Sequence, residues 1–171
     1  MNVLIALLRA VNVGGTGKLP MDDLKAMCRE IGFEDPQTYI ASGNLVFGTT
    51  LESRAAKAAL EARLEGYAGK PVGVLVRTPD EMKAVLRPNP FPDGPGNRVV
   101  AIFLDDAPPA DTLERISHQK DEKVALGKRE IYVHYDEGMG QSKLKIPAAG
   151  NGTARNMNTV AKLVEMSAAR A

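Results

Sequence analysis

Apolar positions along the chain predict a mixed α+β protein. A continuous apolar run from Asn2 to Leu8, containing Val and Ile, is typical of a central strand buried on both faces. Apolar residues then recur at helical spacing from about Pro20 to Ile31, which predicts the first helix. The other elements expected in this half are short strands over 38–41 and 45–47 joined by a turn, a helix from a Thr49–Glu52 capping box to about Gly66, and a strand over 72–76.

A second series of elements follows a connection rich in proline. Thr78, Pro79 and Glu81 have the form of a helix cap, whereas 88–96 contains too many prolines for regular structure. The elements expected after it are a strand over 98–104, a helix from Pro108 to about His118, strands over 124–126 and 130–135 joined by a type II′ turn at Gly127–Lys128, and a helix capped by Thr153 that ends near Ala168.

The two series have nearly the same order of elements. We therefore predict an α+β fold of two α/β-plait (ferredoxin-like) halves in tandem, the second lacking its last strand. The predicted division is 1–77 for the first half and 78–171 for the second, which includes a helix, the linker and a C-terminal helix.

A polar, glycine-rich loop from Arg9 to Lys18 follows the first strand. In a plait this loop and the turn Ser42–Gly43–Asn44 lie at the same end of the sheet. Adjacent glycines let the backbone approach a ligand, and the following helix N-terminus favours negative charge. The candidate ligand-binding residues here are Arg9, Asn12, Gly14, Gly15, Lys18, Ser42, Gly43 and Asn44. The alternative is that they only form tight turns.

Spacing excludes two familiar phosphate motifs for this loop. Asn12 stands where a Walker A loop needs its first Gly, and Leu19 replaces the Ser or Thr after Lys18. The third Gly of a dinucleotide fingerprint is also missing, because Pro20 occupies its place.

Five further candidate ligand-binding residues lie near the C-terminus: Ser142, Lys143, Arg155, Asn156 and Asn158. On the predicted last helix Asn156 shares the apolar face and is expected to point inward, with Arg155 pointing outward or toward a neighbouring cleft. Arg155 then either binds a carboxylate or phosphate or is a solvated surface residue.

The two histidines, at 118 and 134, are expected to be structural, so the sequence identifies no catalytic set.

Composition narrows the class of protein. The chain has 44% hydrophobic and 25% charged residues and a formal net charge of +1, typical of a soluble globular protein without a basic stripe for nucleic acid. No stretch approaches the roughly 20 apolar residues of a membrane span, and no signal peptide is recognised. The single cysteine, Cys28, suits a reducing compartment, so we expect a cytoplasmic protein.

Five blocks of the sequence are distinctive, namely LLR at 7–9, NVGG at 12–15, YIASGN at 39–44, GQSKL at 140–144 and TARNMNT at 153–159. Together they resemble the domain-of-unknown-function 1697 family of uncharacterised bacterial proteins. The resemblance implies two α/β-plait halves and no established activity. Departures from the family pattern are Ala10–Val11 in place of Gly-Ile, and Met157 where an aromatic residue, often Trp, is common.

The residues favour binding of a small anionic metabolite or nucleotide by a composite loop site, with or without catalysis. One alternative is an RNA-binding module on the plait scaffold, although the first strand carries no aromatic residue for base stacking. Another is a protein-interaction role, such as a homodimer formed through the strand edge left open in the second half. We expect no metal and no membrane partner, and the cofactor and any reaction remain open.

Overall fold

The computed structural model of the chain describes residues 1–9 and 18–170. Its strands are β1 (Asn2–Leu8), β2 (Glu34–Thr38), β3 (Asn44–Thr49), β4 (Val74–Arg77), β5 (Val99–Phe103), β6 (Lys123–Leu126), β7 (Glu130–His134) and β8 (Thr153–Asn156). Its α-helices are α1 (Met21–Glu30), α2 (Ser53–Ala68), α3 (Pro79–Leu86) and α4 (Met157–Ala168), with 3₁₀ turns at Leu113–Arg115, Met139–Gln141 and Pro147–Asn151. The fold is α+β, with two four-stranded antiparallel sheets.

The first sheet has the strand order β2-β3-β1-β4, which places the apolar strand β1 between β3 and β4 as expected. Alternate residues of β1 face one side of a sheet, and Leu4, Ala6 and Leu8 belong to a buried apolar cluster. The same cluster contains Leu24 of α1 and Leu60 of α2. The amphipathic helices therefore cover the face that β1 presents to them.

The second sheet has the order β6-β7-β5-β8, and β8 corrects the prediction that this half lacks its last strand. Residues 153–156, expected to begin the last helix, pair instead with β5, with Thr153 opposite Phe103. The helix begins only at Met157, where the side chain of Asn156 accepts a hydrogen bond from the Thr159 N–H at 2.9 Å. The strand edge on which the dimer hypothesis rested is therefore occupied.

The predicted helix over 108–118 is also wrong, since this segment contains only the short turn Leu113–Arg115. A helix there has little apolar surface to bury, and Leu113 is 48% exposed. The apolar face of β5 and β7, with Val100 and Ile131, packs instead against residues such as Leu144 and Ile146. An irregular segment thus covers this face.

Two local motifs differ from prediction and one is confirmed. Thr49 does not cap α2, because its hydroxyl accepts the Leu51 N–H and the helix starts at Ser53. Gly127 precedes the two central residues of its turn, which have no positive φ, so the turn is not type II′. Thr78 and Glu81 form the predicted capping box, each side chain bonding the other residue's N–H, at 3.1 and 2.8 Å.

The described residues group into two compact units. One comprises Met1–Met82 with Leu163–Ala171, and the other comprises Lys83–Lys162. Both α3 and α4 pass from one unit to the other. The expected division into halves at 77/78 stays a prediction. Within the described ranges, no helix combines the length and apolar character needed to cross a membrane.

Candidate functional site

The second unit contains a cleft of about 480 Å³, within the usual range for small-molecule sites. Its lining comes from two short segments whose residues are polar or charged apart from one glycine: His118, Gln119, Lys120, Asp121 and Glu122 from one, and Glu137, Gly138, Gln141, Ser142 and Lys143 from the other. We call these segments wall A (118–122) and wall B (137–143). Wall B includes two residues of the predicted set, Ser142 and Lys143.

The two walls are joined by direct hydrogen bonds. Ser117 and Lys145, just outside the walls, form an antiparallel bridge with N–O distances of 3.0 and 2.9 Å. The Ser142 hydroxyl donates to Glu122 at 2.6 Å and accepts the Leu144 N–H at 3.2 Å. The cleft is therefore preformed.

Glu122 is the anchor of wall A. It is only 5% exposed, its carboxylate also accepts the Lys120 N–H at 2.7 Å, and its carbonyl oxygen accepts from the Gln119 side chain at 2.7 Å. The hydrogen bond from Ser142, and then the one from Lys120, lower the pKa of Glu122 below its usual range. Glu122 is thus a fixed anion whose oxygens are used inside the protein.

The backbone of both walls departs from common conformations. His118 has φ +58°, a left-handed conformation that costs a non-glycine residue roughly 1–2 kcal/mol, and its Nδ1 lies 3.1 Å from the Ser117 hydroxyl. Gly138 of wall B has φ +87°. The strained conformation of His118 is of a kind that clusters at functional sites, whereas Gly138 adopts its positive φ without strain.

Other polar side chains of the cleft are available to a ligand. Among the residues that the structure describes, no hydrogen bond or ion pair engages the side chains of Lys120, Asp121, Glu137, Gln141 and Lys143. All five are exposed. Each wall therefore presents one cation and one carboxylate.

In the first unit the predicted turn does lie beside the end of β1. The Leu8 N–H bonds the carbonyl of Gly43 at 2.8 Å, and Gly43 has φ +89°, which explains the glycine. The buried Asn44 side chain donates to the Tyr39 carbonyl and the Ser42 hydroxyl, both at 2.9 Å. These contacts brace the hairpin tip, so Asn44 has a structural role here.

The rest of the predicted loop is described only at its ends. Arg9 is half-buried, its N–H bonds the Gly73 carbonyl at 2.9 Å, and Lys18 is exposed. Three candidates, Asn12, Gly14 and Gly15, lie outside the described residues. A second concavity of about 660 Å³ in this unit, lined by Met1, Asn2, Val3, Leu4, Glu52, Ser53, Arg54, Thr78 and Pro79, contains no candidate residue.

Comparison with known proteins places the chain in a family. A family model described as a protein of unknown function, DUF1697, matches residues 1–132. The chain belongs to this DUF1697 family. Wall A falls within the matched stretch, and wall B follows it.

A solved structure extends the likeness of the DUF1697 chain to nearly its full length. It is a conserved bacterial protein from Streptococcus pneumoniae, 24% identical, covering 97% of this chain and 98% of that one, with a TM-score of 0.79. At this identity the likeness shows the fold alone. No curated protein matches the chain.

The C-terminal candidates of the DUF1697 chain take different places from those expected. Arg155 lies on β8, 7% exposed, and donates to the Thr153 hydroxyl at 2.6 Å and the Ala154 carbonyl at 2.9 Å. Its predicted outward orientation is therefore wrong, because strand alternation buries it together with Thr153. Burial lowers the pKa of Arg155 to about 10.

The neighbouring candidates serve the start of α4. Asn156, expected inside the core, is half-buried and caps the helix, while Asn158 is exposed and its side chain packs on Gly96. Met157, where the resemblance led us to expect an aromatic residue, is 5% exposed and belongs to the core. Arg155, Asn156 and Asn158 do not line the cleft with Ser142 and Lys143.

Sequence reasoning missed wall A entirely. It assigned His118 to the end of a helix and gave 119–122 no role. One signal was present, namely the uninterrupted polar run from Ser117 to Lys123, which no helix or strand with a buried face requires. Among the described residues, no group of three or more His, Cys, Asp or Glu is placed to hold a metal ion.

Proposed function

We propose that this protein binds a small anionic metabolite in the cleft between wall A and wall B. The observation that carries the proposal is the pair of exposed lysines, Lys120 and Lys143, one on each wall, whose side chains form no hydrogen bond or ion pair with a described residue. An ammonium group is a strong donor to phosphate and carboxylate oxygens. Because Ser142 and Glu122 already join the walls, little further ordering is needed on binding.

The chemistry of the cleft supports binding more than nucleophilic catalysis. A serine nucleophile needs a base that takes its proton, and the partner of Ser142 is Glu122. The lowered pKa of this carboxyl group makes it a weak base. Ser142 therefore acts as a tie between the walls, and we assign it no covalent role.

The test is a thermal-shift screen with inorganic phosphate, adenosine 5′-monophosphate (AMP) and a short RNA. A ligand at about 100 times its dissociation constant stabilises by roughly 2.7 kcal/mol, which raises the Tm of a chain of this size by about 5–10 °C. We expect Lys143→Ala to abolish the shift caused by the phosphate compounds. Lys128→Ala, which removes an exposed lysine from the β6–β7 turn, serves as the matched control and retains the shift.

Two results would overturn the proposal. One is that inorganic phosphate and AMP raise the Tm of the Lys143→Ala variant by as much as that of the wild type. The other is stabilisation by RNA alone that weakens steeply with salt, which favours the nucleic-acid alternative instead.

We also propose that the two sheets are tandem α/β plaits in a cytoplasmic protein. The equal strand orders β2-β3-β1-β4 and β6-β7-β5-β8 support the duplication. The first unit has the full βαββαβ series, whereas 3₁₀ turns stand between the strands of the second. The single, buried Cys28 is consistent with a reducing compartment.

A further inference from the structure

Two lysines and three carboxylates line the cleft, and because the Glu122 carboxylate is already bonded within the protein, two groups of each sign are left for a ligand. Wall A presents Lys120 and Asp121, and wall B presents Glu137 and Lys143. A ligand with negative groups alone gains from the two lysines but is repelled by the two carboxylates. A ligand that also carries hydrogen-bond donors uses all four groups, since a carboxylate accepts but does not donate.

Only two of the three carboxylates in the cleft are open to a ligand. Glu122 accepts hydrogen bonds from the Ser142 hydroxyl and the Lys120 N–H, and is 5% exposed. Asp121 and Glu137 are exposed, and no described residue bonds their side chains. The acceptors therefore lie on both walls, as the lysines do.

We propose that the ligand is a phosphorylated sugar or nucleoside monophosphate whose neighbouring hydroxyls are recognised by Asp121 and Glu137. This inference rests on the proposed function, because the phosphate is held by Lys120 and Lys143. An acidic side chain is a common partner of ribose hydroxyls in nucleotide sites. The volume of about 480 Å³ falls within the range that small organic ligands occupy.

Isothermal titration calorimetry with AMP, 2′-deoxy-AMP and inorganic phosphate tests the inference. AMP and its deoxy analogue share the phosphate and the base and differ by one hydroxyl. We expect the deoxy compound to bind about tenfold more weakly, the loss typical of a hydrogen bond to a charged group. The double variant Asp121→Ala/Glu137→Ala is expected to bind the two compounds with equal affinity.

Two further variants complete the design. Lys143→Ala is expected to weaken AMP and deoxy-AMP by the same factor, because it removes a phosphate contact that both compounds make. Glu114→Ala removes an exposed carboxylate outside the cleft, and should keep the tenfold difference. Unchanged thermal melting of the ligand-free variants would show that these exposed truncations leave the fold intact.

The outcomes separate this inference from the proposed function. Equal binding of AMP and deoxy-AMP by the unaltered protein, with Lys143→Ala still weakening both, overturns the hydroxyl recognition and leaves anion binding standing. No binding of any of the three probes overturns both. A third outcome is that L-alanine binds more tightly than AMP and that the double variant no longer binds it. This result would show that the two carboxylates recognise an ammonium group, and it would contradict the inference.

Discussion

Single residues of wall A and wall B owe their positions to contacts distant in the chain. Ser142 and Glu122 are 20 residues apart, and their side chains form the hydrogen bond that joins the walls. A bond of this kind couples the shape of the cleft to the protonation state of one carboxyl group. It therefore makes the stability of the protein depend on pH.

The substitution Ser142→Ala tests this coupling. Because the pKa of Glu122 is lower in the folded protein than in the unfolded chain, its stabilising contribution is complete above the ordinary glutamate pKa of about 4.3. That contribution is lost as the pH falls through the lower, folded-state value. We expect the variant to be less stable than wild type at pH 7 and the difference to shrink below about pH 4.

Urea unfolding at several pH values between 3 and 7 measures the difference. Ser117→Ala is the control, since its hydroxyl lies 3.1 Å from Nδ1 of His118 and contacts no carboxylate in the described part of the chain. A difference between wild type and Ser142→Ala that stays constant from pH 7 to pH 3 would contradict the expectation.

At the scale of elements, β8 is the strand whose position depends most on close packing. Gly152 precedes it, and a Cβ at this position would lie 2.7 Å from the Phe103 carbonyl oxygen and 2.8 Å from Cγ2 of Ile102. The carbonyl belongs to β5 and cannot move without disturbing the sheet. The glycine therefore allows β8 to approach its partner.

Gly152→Ala is expected to destabilise the protein by about 1–3 kcal/mol, the usual cost of overpacking. Gly150→Ala is the matched control, because no atom of the described residues lies within 4 Å of its added methyl group. The control should be neutral or more stable by up to about 1 kcal/mol, since alanine restricts the unfolded chain. Equal unfolding free energies for the two variants in urea would show that Gly152 is not a packing position.

Elements with a strong local pattern could be predicted from the sequence, and those fixed by distant pairing could not. The apolar run of β1 and the capping box of α3 are visible within a few residues. Thr153–Asn156 is short and polar, and only its pairing with β5, about fifty residues earlier, makes it a strand. The predicted helix over 108–118 failed because polar side chains and prolines left it without a face to bury.

The same distinction applies to the candidate site. Ser142 and Lys143 could be selected as site candidates because polar residues beside glycines are unusual. The hairpin turn could be selected because the strand order places it beside β1. Wall A could not be selected, since its place opposite wall B depends on the Ser117–Lys145 bridge. For Arg155 the error followed from assigning a helix where a strand forms.

At the scale of the whole molecule, one thiol reports on unfolding. Cys28 is the single cysteine of the chain and is fully buried, and burial raises its pKa to about 12. At pH 8 the native thiol is therefore protonated and unreactive. We expect a thiol reagent such as Ellman's reagent to label the protein only as it unfolds.

Comparing labelling with circular dichroism across a urea series tests whether the units unfold together. Because α3 and α4 each belong to both units, we expect the two midpoints to coincide. Cys28→Ala gives the unlabelled baseline. Immediate labelling in the absence of urea, or a labelling midpoint well below that of circular dichroism, would contradict the prediction.

The path of α4 also determines how the molecule can be divided. The first unit is discontinuous, since the residues from Leu163 onward belong with Met1–Met82. Arg170 donates to the carbonyl oxygens of Glu34 and Asp35, the first two residues of the edge strand β2. A fragment that stops at Met82 loses these hydrogen bonds to the edge strand. The second unit, in contrast, is one uninterrupted stretch of chain. It therefore has the form of a nested insertion, and because its two ends fall inside α3 and α4, a fragment that carries the cleft needs both helices whole, as in residues 79–168.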